Sequence, residues 1–186
     1  MQLQARVPDL RVVVHELETP DAIVALRDGR CDLAIGFAYN LAPKAEMAGL
    51  VAELLLDEPM RLVLPERWRE GPDRVDLMRL ADADWIVGSR QSDDRLMAER
   101  ACAVAGFAPR IVHAIDDYDL VLRMVAAGLG VGFAPELALR LSGTHGVVVR
   151  TPAGLPLRRQ IKLLTRRTFA ASPGVRALLA ALRDVV

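Results

Sequence analysis

The chain is poor in the residues that carry most catalytic and metal chemistry. Its 186 residues include two cysteines, three histidines and an aromatic fraction of 4%. Cys31 and Cys102 have no CxxC neighbour, so the sequence offers neither a disulfide framework nor a zinc site, and both read as buried thiols. His15, His113 and His145 are scattered, and none has metal-ligand spacing with another His or Cys. No GxSxG, HExxH, SxxK or P-loop is present. The expectation is therefore no catalytic residue, no metal and no cofactor.

Other absences act on partners. The formal net charge is +0, so the chain lacks the basic footprint that non-specific nucleic-acid binding requires. Lys44 and Lys162 are the only lysines; the cations are nearly all arginine. No apolar run approaches the ~20 residues of a membrane helix. Met1–Arg6 does not read as a signal peptide, and the expected location is cytoplasmic.

What is abundant is Val, Leu, Ile and Ala, in a pattern of strands and helices. Leu10–Leu17 is a β-branched run and reads as a strand. Thr19-Pro20-Asp21 reads as a helix start with Thr19 as cap, and that helix ends at Gly29. Asp32–Gly36 reads as a second strand, which completes a parallel crossover unit. Residues 38–49 read as a loop. Leu50–Leu64 reads as two strands separated by Asp57, Glu58 and Pro59.

Further along, Trp85–Gly88 reads as a strand. Ser92 caps a helix to about Ala105, with Leu96, Ala103 and Val104 inward. Asp116 caps the next helix, with Asp119 as a capping-box partner. Val125–Pro135 (VAAGLGVGFAP) reads as helix end, glycine hinge, strand and proline stop, with Gly128 and Gly130 supplying positive φ. These glycines close a helix and open a strand. A dinucleotide fingerprint has the reverse order, so nucleotide binding through them is rejected. Strands at Gly146–Arg150 and Arg159–Thr165 and an amphipathic helix from Ser172 close an α/β chain.

Three polar clusters follow strands and open helices: Glu18-Thr19, Gly88–Ser92 and Asp116-Asp117. Each alone is a cap. On one sheet edge together they would make a small-molecule pocket, because ligands gather at the carboxyl ends of parallel strands.

In order and spacing several segments resemble the effector-sensing domain of LysR-type transcriptional regulators. They are Val7–Glu16, Ala25–Ile35, Leu54–Pro65, Leu80-Ala-Asp, Ala105–Pro109 and the VAAGLGVGFAP string. The resemblance implies a two-lobed type 2 periplasmic-binding-protein-like fold with mainly parallel sheets. Lobe I would be residues 1–58 plus 162–186, and lobe II residues 59–161. A small effector, a carboxylate or an amino acid, would lie in the cleft. Carried over residue by residue, its contacts are Thr19 and Phe37, then Ser89, Arg90 and Gln91, and Asp117. The acids at 93, 94, 116 and 117 favour an amine or hydroxyl end on the same effector.

A homodimer or tetramer is implied, with DNA reached only through a winged helix-turn-helix that this sequence does not include, and with no membrane partner. The family's first sensor-domain strand is also missing from the sequence. Its absence would leave unpaired backbone between the strand at 10–17 and the strand at 32–36. The expectation is an N-terminally truncated chain or a misplaced start. The alternatives are a free-standing solute-binding protein of the same fold and, last, an enzyme on a two-lobed scaffold.

Overall fold

The computed structural model describes residues 7, 8, 10–42, 47–89 and 92–184. The helix tail expected at residues 1–6 lies outside them. The chain forms two compact units. Unit 1 is residues 1–38, 44–57 and 160–186, and unit 2 is residues 39–43 and 58–159.

Unit 1 is built on helix α1 (Thr19–Arg27), strand β1 (Leu33–Tyr39), the first half of β2 (Leu50–Pro65), the second half of β8 (Arg158–Arg166) and helix α5 (Pro173–Arg183). The strand order is β1-β8-β2. Helix α1 starts where Pro20 fixes φ and stops at Gly29, whose φ of +72° suits glycine alone. Its inner face contributes Ile23 and Leu26, which pack with Leu50 and Leu164 into the core of this unit.

The expected strand at Leu10–Leu17 is not formed. These residues are outside any helix or ladder and lie exposed, with Val14 at 84% and Val13 at 65%. β-propensity describes how well a residue fits a pleated, half-buried surface. It cannot supply the neighbouring strand, and the crossover unit expected here lacks its first member.

Unit 2 contains β3 (Arg74–Val75), β4 (Asp84–Val87), α2 (Asp93–Val104), β5 (Arg110–Ala114), α3 (Tyr118–Ala126), β6 (Gly132–Pro135), α4 (Glu136–Ser142) and β7 (Val147–Pro152). It also holds the second half of β2. β4 pairs with β5 in parallel, and an isolated parallel bridge joins Trp85 to Val131 at the entrance to β6. β6 and β7 flank β2, both antiparallel to it, and β3 adds to β7 in parallel. The α/β class is as expected, but the strand directions are mixed rather than mainly parallel. The cause is β2, one continuous strand of 16 residues where two had been expected. Pro59 does not break it, and the boundary between the units falls within it, after Asp57.

The sheet of unit 2 is buried on both faces, which is why its strands read as unbroken apolar runs. Leu62, Leu64, Trp85, Val87, Phe133 and Val148 point to one core, under helix α2. Their alternates Val63, Ile86, Ala134 and Val147 point to the other, under α3 and α4. Helix α2 presents Met97, Ala98, Ala101 and Cys102 inward; Ala103 and Val104, expected there, are exposed. The small side chains mark the packed face because they let the helix approach the sheet. Burial there pushes the Cys102 thiol up to about 12.

The glycines of VAAGLGVGFAP act in two ways. Gly128 has a φ of +79° and ends α3. Gly130 and Gly132 have no such need; they allow close approach. A Cβ on Gly130 would lie 2.9 Å from the Asp84 carbonyl oxygen, and one on Gly132 2.8 Å from that of Ile86. Any side chain here would push β6 off β4.

Candidate functional site

In unit 1 the candidate residues are Thr19 and Phe37. Thr19 was expected as a cap, but it is the first helical residue and Glu18 occupies the cap position. Its hydroxyl has another task. Thr19 is buried, and its Oγ1 accepts a hydrogen bond from the Phe37 backbone N–H at 3.0 Å. Helix α1 is thereby tied to the middle of β1. Gly36 makes the approach possible, since a Cβ there would lie 2.9 Å from Leu164 Cδ1 and 3.2 Å from Thr19 Cγ2. The Phe37 side chain itself is exposed. Substituting Thr19→Val keeps the shape but removes the hydroxyl that accepts from the Phe37 N–H. We expect a loss of about 0.5–1.5 kcal/mol in denaturant unfolding, with Thr19→Ser close to the parent.

In unit 2 the site is where β4 and β5 end. The Ile115 N–H donates to the Val87 carbonyl at 2.8 Å, which brings the two strand-to-helix loops side by side. One residue on, the Ser89 N–H donates to Asp116 Oδ1 at 2.7 Å. Asp116 is therefore a loop tie, and the cap of α3 is its neighbour Asp117, which accepts from the Leu120 N–H at 2.9 Å. Ser92 occupies the cap position of α2 as expected, but its hydroxyl makes no capping bond and donates to the Ser89 carbonyl at 2.8 Å. The Asp93 carboxyl is pushed up, first by burial and then by the neighbouring Asp94. Arg90 and Gln91 lie outside the described residues.

Beneath these loops sits a cluster of which the sequence reading singled out only Asp94. Asp94 Oδ1 accepts from the Arg95 N–H at 2.8 Å, and Tyr118 Oη donates to Asp94 Oδ2 at 3.4 Å. Gly88 leaves room for this carboxylate, since a Cβ there would lie 2.2 Å from Asp94 Oδ1. Tyr118 also hydrogen-bonds Tyr39, and Arg159 reaches both tyrosines. The Arg159 guanidinium carbon lies 5.7 Å from the Tyr118 ring centre. Arg159 donates from Nε and Nη2 to Glu58 Oε1 at 2.9 and 2.7 Å, and Glu58 Oε2 accepts from the Leu137 N–H at 2.6 Å.

Burial is the main reason both tyrosines hold their protons, helped by the negative charge of Asp94. Tyr39 is pushed up to about 12, and Tyr118 well above its ordinary value. Burial alone would lower the Arg159 guanidinium; Tyr118, Tyr39 and Glu58 outweigh it and raise it. A cavity of about 10 Å³, the size of one water site, lies between Gly88, Asp94 and Tyr118 and an apolar floor that includes Met60, Met97 and Phe133.

The structure thus brings Thr19 to Phe37, and Ser89 to the loop that carries Asp117. Chemically, unit 2 offers carboxylates and neutral tyrosine hydroxyls at strand ends, the groups of a polar recognition surface. Among the described residues no group of three or more His, Cys, Asp or Glu is placed to hold a metal ion. Tyr39, Glu58 and Arg159 are far apart in sequence, and only the Glu-Pro interruption at 58–59 offered a sign of a buried polar position.

Comparison with known proteins shows the family and the fold. The family model described as the LysR substrate binding domain matches residues 1–186, and the chain belongs to that family. Among curated relatives is an uncharacterized HTH-type transcriptional regulator, YfeR, of Shigella flexneri. It is 29% identical over 182 residues, which cover 96% of this chain and 56% of that protein. The chain thus spans about half the length of the relatives it matches. Among solved structures, the regulatory domain of Synechocystis CcmR in complex with 2-PG superposes with a TM-score of 0.79 at 15% identity, covering 99% of this chain and 87% of that one. The effector binding domain of QuiR in complex with shikimate gives 0.76 at 18% identity, covering 99% and 86%. No helix of the described residues is long and apolar enough to cross a membrane.

Proposed function

We propose that this domain senses a small-molecule effector for a transcription regulator, binding the ligand without transforming it. The observation that carries this is the convergence of two strand-to-helix loops in unit 2, locked by the Ser89–Asp116 hydrogen bond. Thr19 and Phe37 of unit 1, and Ser89, Arg90, Gln91 and Asp117 of unit 2, are the effector contacts in this reading. The two units are its two lobes. Two solved structures of the same fold hold shikimate and 2-PG, which supports an oxygen-rich organic anion as the first class to try. The acids of unit 2 suit a hydroxyl or amine elsewhere on that molecule. The domain works as a cytoplasmic homodimer or tetramer, and reaches DNA through a winged helix-turn-helix of the whole regulator. Ligand acts by binding one arrangement of the protein better than another.

A thermal-shift panel of hydroxy acids, aromatic acids and amino acids tests this, with shikimate included. A ligand at 100 times its Kd stabilises the folded state by about 2.7 kcal/mol. That corresponds to a midpoint rise of roughly 5–10 °C for a chain of this size. The hit is then incubated with the protein and followed by NMR. An unchanged ligand agrees with sensing; conversion to product would overturn it in favour of an enzyme.

A further inference from the structure

Three of the points at which the chain passes into or out of unit 2 fall on one side-chain network. The passages lie between residues 38 and 39, between 57 and 58, and between 159 and 160. The unit 2 residue at each is Tyr39, Glu58 and Arg159, and all three belong to the polar cluster beneath the site loops. They come from three different strands, β1, β2 and β8. The same network reaches the first turn of α2, α3 and α4. Asp94 is the second residue of α2 and Tyr118 the first of α3, while Leu137, whose N–H donates to Glu58 Oε2, is the second of α4.

Two of those helices follow the two effector loops, and the loops are tied twice. In the outer tie the Ser89 N–H donates to Asp116 Oδ1 at 2.7 Å. In the inner tie Tyr118 Oη donates to Asp94 Oδ2 at 3.4 Å, joining the helix after the second loop to the helix after the first. This inner bond is long, but its donor is itself held in place. The Arg159 guanidinium carbon lies 5.7 Å from the Tyr118 ring centre, and Tyr39 and Tyr118 are hydrogen-bonded to each other. A member of a buried polar network that loses its partner bears a desolvation penalty. Displacing one member therefore moves the others with it instead of leaving them behind.

We infer that Tyr118 is a positioning residue for the two effector loops, and that the Glu58–Arg159 pair acts on those loops through it. The loops and the three crossing residues then respond to one another. A ligand that prefers one loop arrangement biases the crossing residues too, and the coupling is reciprocal. That these loops hold an effector rests on the function proposed above; the positioning does not.

The test uses the full chain without ligand. Amide hydrogen exchange is followed by NMR in the parent and in Tyr118→Phe, which keeps the ring and removes the hydroxyl. The Ser89 N–H is expected to exchange roughly threefold to tenfold faster, the equilibrium equivalent of one lost hydrogen bond. The Ile86 and Val131 N–H groups, which donate to the Val131 and Asp84 carbonyls, should keep their rates. Glu58→Gln combined with Arg159→Met, which leaves no charge of the pair buried, should speed Ser89 in the same way. The reverse direction has its own readout, because Tyr39 and Tyr118 are the only tyrosines in the chain. In tyrosine-ring-labelled protein both signals come from the network, and Tyr118→Phe identifies the one that belongs to Tyr39. Asp116→Ala, which cuts the outer tie, should shift that Tyr39 signal. An unchanged Ser89 rate in both variants overturns the inference. So does equal acceleration at Ser89, Ile86 and Val131, the mark of a general loss of packing. Acceleration confined to Tyr118→Phe, with an unmoved Tyr39 signal in Asp116→Ala, overturns the link to the crossing residues. If the thermal-shift panel yields no ligand while Ser89 responds as expected, the proposed function fails and the positioning stands.

Discussion

Replacing Arg159 with methionine is expected to destabilise unit 2 by about 3–5 kcal/mol, because it leaves the Glu58 carboxylate buried without its counter-charge. The pair is nearly sealed from water, with side-chain exposures of 7% for Arg159 and 4% for Glu58. Two Arg159 hydrogen bonds fall on one Glu58 oxygen, Oε1, while the other oxygen accepts from the start of α4. The cost of breaking a buried pair is larger than the net worth of the pair itself. Desolvation was already suffered by both ions, and their attraction offset it. Glu58→Gln combined with Arg159→Met should therefore recover most of the loss, since no charge remains buried. Urea unfolding of the parent, both single variants and the double variant measures the coupling. A single-variant loss below about 0.5 kcal/mol, the range of ordinary surface changes, would show that water or another group compensates Glu58. The substitution should also push both tyrosines further up, because Arg159 is a cation that lowers Tyr39 and Tyr118.

Trp85→Ala is expected to cost a similar amount, about 3–5 kcal/mol. Trp85 is fully buried on β4, with ring centres 5.4 Å from Phe133 and 6.2 Å from Phe107. Its indole N–H donates to the Leu80 carbonyl at 3.3 Å, which also accepts from the Ala83 N–H at 3.1 Å, so truncation removes a large apolar body and one of the two hydrogen bonds to that carbonyl. Trp85→Phe retains ring packing and should lose less, on the order of 1–2 kcal/mol from the hydrogen bond and the missing ring volume. The effect reaches the candidate site. Trp85 lies three residues before Gly88 on the strand that delivers Ser89 to Asp116, and it also bridges to Val131. Denaturant unfolding gives the stability change, and near-ultraviolet circular dichroism reports whether the aromatic core stays ordered. A loss under 1 kcal/mol would mean that Phe107 and Phe133 close over the cavity.

Much of unit 2 was legible from the amino-acid order, for a local reason. A strand buried on both faces must be apolar at every position, and Trp85–Val87, Gly132–Pro135 and Val147–Val149 have that character. Helix starts were legible where proline or a short polar side chain fixes the first turn, as at Thr19-Pro20 and Ser172-Pro173. The roles of those polar side chains were less legible. Thr19, Ser92 and Asp116 all looked like caps, yet each hydrogen-bonds across a loop or to another element. A side-chain oxygen beside a helix start has several donors or carbonyls within reach, and spacing along the chain does not rank them.

By itself the sequence determined the α/β class, the family resemblance through segments held in register, and the order of helix, glycines and strand that sets VAAGLGVGFAP apart from a dinucleotide fingerprint. Each depends on periodicity or on neighbouring residues, which the chain carries with it. Only the tertiary structure decided that Leu10–Leu17 forms no ladder and that β2 runs unbroken through Pro59. It alone revealed that Tyr39, Glu58, Asp94, Tyr118 and Arg159 share one polar cluster. Those are matters of partnership. A strand needs a neighbour and a buried charge needs a counter-charge, and neither is visible until distant parts of the chain have met.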